Sequence, residues 1–333
     1  MSRIGVIGSG SWGLALSNVL TDNNHEVIVY TREKSERDLI NYTHSHPLYF
    51  NENIKINASI TATCDLYELN GCESIILSVP SVAIEDVCIQ INDVFTTPKI
   101  FVNTAKGFNP SNFELLTDTI SSTITPHLLK DLVSLIGPSH AEEVVTRLFT
   151  SVNVVGFNDD TLVFIQQLFS NSYFRVYRNY DVIGAQLGVA TKNIIALACG
   201  MLSGFGQADN ARAALITRGL AEMSRLGLAM GGKIETFLGL CGVGDLVVTA
   251  TSVHSRNFQA GQCIGKDNDA STFLATNQKT VEGVYALTGV LHHASIHQIE
   301  MPICEAVNQI VHHHKRVSDV IHALTARDLK REF

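Results

Sequence analysis

Lys192 is the only charged side chain between Asp181 and Asp209, in a stretch that is otherwise nearly apolar. Burying an ammonium costs solvation, so such a lysine should lose its proton more readily unless a carboxylate holds the charge. A lysine tuned in this way can exchange a proton with a carbonyl or alcohol oxygen. A structural lysine that runs its stem along apolar surface and its head into water fits the same residues. Asp245, within Gly242-Val243-Gly244-Asp245-Leu246-Val247-Val248-Thr249, is a candidate carboxylate partner. Ser255-Arg256-Asn257 follows shortly, and Arg256 with Asn257 presents donors suited to a phosphate. A turn and a helix start carrying a surface arginine would look the same.

A second set of residues could hold a dinucleotide. Gly8-Ser9-Gly10-Ser11-Trp12-Gly13 is a G-x-G-x-x-G placed between a β-rich run and a helical pattern. The first glycine makes the tight turn, the second admits a pyrophosphate against the backbone, and the third lets helix pack on strand. The helix start supplies amides to the phosphates. The residue that meets the adenosine ribose should end the second strand, about 20 residues on. Thr31 and Arg32 stand there; an arginine can accept a 2′-phosphate, so Arg32, helped by Lys34, leans the expectation towards NADPH. Glu33 between them opposes that lean, and an ordinary exposed arginine also fits. Further on, Lys106 in Asn103-Thr104-Ala105-Lys106-Gly107 and the run Gly137-Pro138-Ser139 fall where strands end, the usual ligand edge of an open α/β sheet. Taken alone, a lysine in the place of Lys106 is more often a solvated rim residue. Ser139-His140-Ala141-Glu142 has the S-x-x-E form of a capping box.

These residues need elements to position them. Ile4–Ile7, Glu26–Tyr30, Ser74–Val79, Ile100–Asn103, Leu132–Ile136, Val152–Val155 and Phe174–Tyr177 read as strands, with helical segments such as Trp12–Thr21 and Ile84–Ile91 between them. Several strands are apolar without alternation, as in a parallel sheet covered on both faces. After about residue 180 the strand signal stops, and Val182–Leu202, Ala211–Met230, Val281–Ile299 and Ile303–His314 read as helices. The fold class expected is α/β: an N-terminal Rossmann-type doubly wound sheet over 1–180, then a mainly α-helical domain over 181–333 that binds substrate and carries the catalytic groups. A chain of 333 residues, 45% hydrophobic and 17% charged, has material for two cores.

Composition excludes several functions. A net charge of −8 argues against a nucleic-acid or membrane-surface partner. The seven cysteines form no C-x-x-C pair and sit mostly in apolar runs, which suits reduced, buried thiols better than a disulfide scaffold or zinc site. The 13 histidines, including His292-His293 and His312-His313-His314, lack carboxylates at ligand spacing, so no metal is expected. Val182–Leu202 is long and apolar, but a central lysine costs about 2.5–3.5 kcal/mol to insert in a bilayer. No second candidate span accompanies it, and it reads as a buried helix. The N-terminus lacks signal-peptide features, so a cytoplasmic protein is expected.

Taken together, the motifs resemble the NAD(P)-dependent glycerol-3-phosphate dehydrogenases of the bacterial type. The resemblance is carried by GSGSWG at 8–13, TAKG at 104–107, GPSHAEE at 137–143, QLGVATKN at 186–193, NARAALITRGLAEMSRLG at 210–227, GVGDLVVT at 242–249, SRN at 255–257 and VEG at 281–283. It implies hydride transfer between NADP or NAD and C2 of dihydroxyacetone phosphate or sn-glycerol 3-phosphate, with no metal. Lys192 is implied as the general acid/base, Lys106 as a second cation touching cofactor and substrate, and Asp245 and Thr249 as the groups that orient Lys192 and the substrate. The cofactor contacts implied are Gly8, Gly10, Ser11, Trp12, Gly13, Arg32, Lys106, Ala141, Arg256 and Glu282. The substrate contacts implied are Lys106, Gly137, Ser139, Lys192, Asn193, Asp245, Ser255, Arg256 and Asn257. His140 stands where a phenylalanine is frequent, Leu14 where a threonine is, and Asn41–Asn57 lacks the expected Leu-Pro pairs. Two rivals remain: another Rossmann-type hydroxy-acid dehydrogenase, which would need a carboxylate clamp, and a catalytically silent NADP sensor, which would not need Lys192 and Asp245. A homodimer is expected from the frequency of two-fold assemblies.

Overall fold

A computed structural model describes residues 1–51, 53–277, 280–329 and 331–332. The chain divides into two compact units, Met1–Gln186 and Leu187–Phe333. The first holds an eight-stranded sheet: β1 (Arg3–Ile7), β2 (Glu26–Tyr30), β3 (Thr61–Thr63), β4 (Ser74–Leu77), β5 (Lys99–Asn103), β6 (Leu129–Ile136), β7 (Thr150–Val155) and β8 (Phe174–Asn179). Its order is β3-β2-β1-β4-β5-β6-β7-β8. Neighbours run parallel except β6 and β7, which are antiparallel. The antiparallel pair departs from the parallel sheet expected. The chain leaves β6, makes one short helix and returns from the same end, so no crossover reverses it. β3 is too short at three residues to show a pattern in sequence.

Helices α1 (Ser11–Asp22), α2 (Lys34–Asp38), α3 (Ile84–Val94), α4 (Leu116–Thr123), α5 (Ala141–Val145) and α6 (Asp159–Phe169) belong to this unit. Val6, Ile76 and Val102 face one buried layer, and Ile7, Ile75, Leu77 and Phe101 face the other. Both faces of the strands are covered, which is why their apolar runs do not alternate with polar residues. The order reverses between β1 and β4, and the crevice at such a switch point is where dinucleotides bind in this architecture.

The second unit is helical: α7 (Val182–Gly204, in which the division between units falls), α8 (Asp209–Ala229), α9 (Ile234–Phe237), α10 (Asp245–Thr251), α11 (Arg256–Asp267), α12 (Ser271–Thr276), α13 (Glu282–Ile296), α14 (Pro302–Val311) and α15 (Val317–Thr325). The expected boundary at 180 lies just before α7. An 18-residue window of α7 is 94% buried, so its apolar surface meets protein on all sides. A Cβ on Gly200 would lie 2.1 Å from the Phe258 carbonyl oxygen, and one on Gly261 2.1 Å from that of Leu197. Helices α7 and α11 therefore touch backbone to backbone, which only glycine permits. A second apolar stretch of spanning length, Ile234–Thr251, is present and 44% buried, where the sequence suggested none. Within it α9 ends at Phe237 and a wide turn over Leu240–Gly244 leads into α10.

Candidate active site

The loop after β1 is shaped by what its glycines exclude. Gly8 has φ +113°, and a Cβ there would meet the Ser78 carbonyl oxygen at 2.3 Å. On Gly13 it would meet the Gly8 carbonyl oxygen at 2.2 Å. Gly10 is different, because a Cβ there would have no atom within 4 Å. The loop is thus packed tightly beneath and open at Gly10, the backbone position that approaches a pyrophosphate. Gly10 caps α1 with no side-chain hydrogen bond, so the first-turn amides of Ser11 and Trp12 have no capping side chain. These residues fit a dinucleotide phosphate. Trp12 is partly buried, and its Nε1 is buried without a hydrogen-bond partner among the described residues.

The other strand ends gather beside it. Ser78 N donates to the Ile7 carbonyl at 2.9 Å and Thr104 N to that of Leu77 at 3.0 Å, which draws the loops after β1, β4 and β5 level. Asn103 Oδ1 accepts from Ala105 N at 3.0 Å and Gly107 turns with φ +111°, leaving Lys106 half-buried in the bend. After β6, Gly137 is buried and Ser139 Oγ donates to its carbonyl at 3.1 Å. Helix α5 begins at Ala141 with His140 as its cap residue and no side-chain cap bond. The capping box read from Ser139 and Glu142 is therefore not formed, since the Ser139 hydroxyl is spent on Gly137. Arg32 is exposed just beyond β2.

In the helical unit, three elements bring buried polar groups together. Lys192 Nζ lies 2.5 Å from Asp245 Oδ1 and 2.7 Å from Thr249 Oγ1. Their residues are 2%, 1% and 5% exposed. Asp245 and Thr249 stand one turn apart on α10, so both face α7. Thr249 donates to the Asp245 carbonyl at 2.6 Å, which turns its lone pairs towards the ammonium. Asp245 Oδ2 is buried and has no partner among the described residues. Such an orphan acceptor suits a ligand hydroxyl. Asn193 Oδ1, next to Lys192, accepts from Asn257 Nδ2 at 3.0 Å, while Asn257 Oδ1 accepts from Gly283 N at 2.8 Å. This one asparagine ties the start of α11 to α7 and to the start of α13, where Glu282 is partly buried. Ser255 caps α11 by accepting from Phe258 N at 3.2 Å, and Arg256 at its first position is exposed.

Residues 3–162 match the family described as NAD-dependent glycerol-3-phosphate dehydrogenase N-terminus, and residues 181–322 match its C-terminus. The chain belongs to this dehydrogenase family. A glycerol-3-phosphate dehydrogenase (NAD(P)+) of Halalkalibacterium halodurans is 43% identical over 332 residues, covering 100% of this chain and 96% of the relative. One from Bacillus pumilus is 43% identical over 328 residues, covering 98% and 95%. The crystal structure of a glycerol-3-phosphate dehydrogenase from Coxiella burnetii superposes with a TM-score of 0.90 at 33% identity, covering 98% of this chain and 99% of that one. The N-terminal Rossmann-type domain, the helical C-terminal domain and NAD(P) dependence expected from sequence are those of the family.

Two features of this dehydrogenase escaped sequence reasoning. The bracing of Asn193 by Asn257 joins residues 64 apart, and no spacing rule reaches that far. Glu36, on α2, turns its carboxylate back to accept from Thr31 Oγ1 at 2.7 Å and from Ser9 Oγ. The segment Asn41–Asn57, of which Glu52 lies outside the described residues, is held at both ends. Asn41 exchanges hydrogen bonds with Ala62 of β3, and Asn57 N donates to Asn18 Oδ1 of α1 at 2.7 Å. Among the described residues no three His, Cys, Asp or Glu side chains gather as a metal site.

Proposed function

We propose that the chain is a cytoplasmic sn-glycerol-3-phosphate dehydrogenase that interconverts dihydroxyacetone phosphate and sn-glycerol 3-phosphate with NADPH or NADH, supplying glycerol 3-phosphate for glycerophospholipid synthesis. The observation that carries this reading is the buried Lys192 ammonium held between Asp245 and Thr249. When bound, the nicotinamide supplies the hydride that arrives at C2. Lys192 then gives a proton from Nζ to the C2 oxygen and is left as a neutral amine, which solvent reprotonates. Asp245 compensates the buried charge and, with Thr249, fixes the direction of Nζ. Its free Oδ2 accepts a substrate hydroxyl. Lys106 adds a second cation near the ketone.

The two units divide the remaining tasks. Over 1–180, Gly8, Gly10, Ser11, Trp12, Gly13 and Ala141 present backbone to the dinucleotide, Arg32 reads its 2′-phosphate and leans the enzyme to NADPH, and Gly137 with Ser139 helps hold the substrate. Over 181–333, Arg256 anchors the substrate phosphate at the start of α11, helped by Ser255, Asn257 and Asn193, while Arg256 and Glu282 also reach the cofactor. The enzyme works as a homodimer, without membrane or nucleic-acid partners. Purified protein mixed with NADPH and dihydroxyacetone phosphate should consume nicotinamide absorbance and form glycerol 3-phosphate. Turnover of a 3-oxo acid or a sugar acid instead would support the hydroxy-acid dehydrogenase, and dinucleotide binding without turnover of any ketone would support the sensor.

A further inference from the structure

The end of β2 carries Thr31 and Arg32 where a carboxylate usually meets the adenosine ribose of NAD. The fold supplies that carboxylate from elsewhere. Glu36 Oε2 accepts from the Thr31 hydroxyl at 2.7 Å and from the hydroxyl of Ser9, the residue inside the glycine turn. Ser9 and Thr31 are themselves buried. Glu36 Oε1 lies 3.7 Å from Nε2 of the buried His46, and the glutamate side chain keeps 19% of its surface open. Burial opposes ionisation of Glu36, but the two donated hydroxyls, with His46 and Arg32 adding to them, hold its carboxyl below the ordinary value. A charged acceptor is therefore fixed between the β2 end and the glycine turn, with the Arg32 cation close enough to be felt.

We propose that Glu36 is a specificity-determining residue of the dinucleotide site: it accepts the adenosine ribose hydroxyls of NADH and repels a 2′-phosphate, so that Glu36 and Arg32 pull in opposite directions and both cofactors are used. The inference rests on the dinucleotide reading of the N-terminal unit given above. Its competitor is a brace, in which Glu36 merely ties Ser9 to Thr31 and shapes the turn for either cofactor alike. Glu33, exposed and adjacent to Arg32, is the other carboxylate that could read the ribose.

The test is binding to the free protein, read from the fluorescence of the single tryptophan, Trp12. Glu36→Gln should weaken NADH by about tenfold or more, the loss of one charge-assisted hydrogen bond, and should leave NADPH equal or tighter. Arg32→Ala should move the ratio the other way, and Glu33→Gln should leave it unchanged. With wild-type protein, 2′-deoxy-NADH should bind about tenfold more weakly than NADH, a comparison that needs no variant to fold. Equal losses of NADH and NADPH in Glu36→Gln, a ratio moved by Glu33→Gln alone, or full affinity for the 2′-deoxy cofactor would each overturn the proposal. Wild-type protein that bound neither dinucleotide would overturn the dinucleotide reading itself, a failure visible before any variant is made.

Discussion

The loop around Gly10 is built of main chain, whereas the cluster around Lys192 is built of side chains buried inside helices. In the loop, what matters is the absence of Cβ atoms and the direction of amides, and all of it is contributed by six consecutive residues. In the cluster, Lys192 meets groups 53 and 57 residues away, and its place depends on how α7 packs against its neighbours. A backbone site tolerates changes of side chain but not of shape. A side-chain site tolerates little change of either, because each buried polar group that loses its partner keeps its desolvation cost.

That difference can be broken from both sides. Lys192→Ala should lower kcat by about 10²–10⁴, the usual range for a lost general acid, while NADPH affinity read from Trp12 stays as in the wild type. Retained turnover, or loss of binding and turnover together, would remove Lys192 from the proton step. Conversely, Gly10→Ala should weaken NADPH binding strongly at an unchanged melting temperature, since a Cβ there has no protein atom within 4 Å. A variant that melts early but still binds NADPH would mean that Gly10 serves the fold.

A smaller effect should separate the units by pH. Glu222 on α8 is 3% exposed and accepts from Ile303 N at 2.8 Å and Cys304 N at 3.4 Å, capping α14. Burial pushes its carboxyl up to about 7. Being raised, it favours the fold fully below the ordinary carboxylate value and loses that contribution as pH rises through about 7. Wild-type stability should therefore fall between pH 5 and 8, relative to Glu222→Gln, by on the order of 3 kcal/mol. Parallel melting curves for the two proteins across that range would show that Glu222 is not protonated in the fold.

These contrasts explain what the sequence disclosed. Seven strands and the glycine turn were legible because period and spacing are local properties of the chain. The antiparallel β6–β7 pair was not, because strand direction depends on where the connection packs. Lys192 stood out as a lone charge in an apolar helix with Asp245 as a candidate carboxylate partner, and the family resemblance added Thr249. Glu36 was missed because its carboxylate works five residues from the position that the usual pattern inspects. The Ser139 capping box failed for the opposite reason, since a motif of the right spacing lost its hydroxyl to a nearer carbonyl.

The substrate assignment depends on the phosphate, which lies away from the reacting carbon and can help only by positioning the ketone or by binding energy realised in the transition state. Arg256, exposed at the first position of α11, is where that energy should enter. The decisive measurement is kcat/KM for dihydroxyacetone phosphate and for dihydroxyacetone, in wild-type protein and in Arg256→Ala. Wild-type enzyme should strongly prefer the phosphorylated ketone, and the variant should lose at least about 1.5–3 kcal/mol of that preference, its kcat/KM falling far more on the phosphorylated ketone than on the unphosphorylated one. Equal losses on both ketones, or no preference in the wild type, would contradict the assignment of Arg256 to the phosphate and of this chain to a phosphorylated substrate.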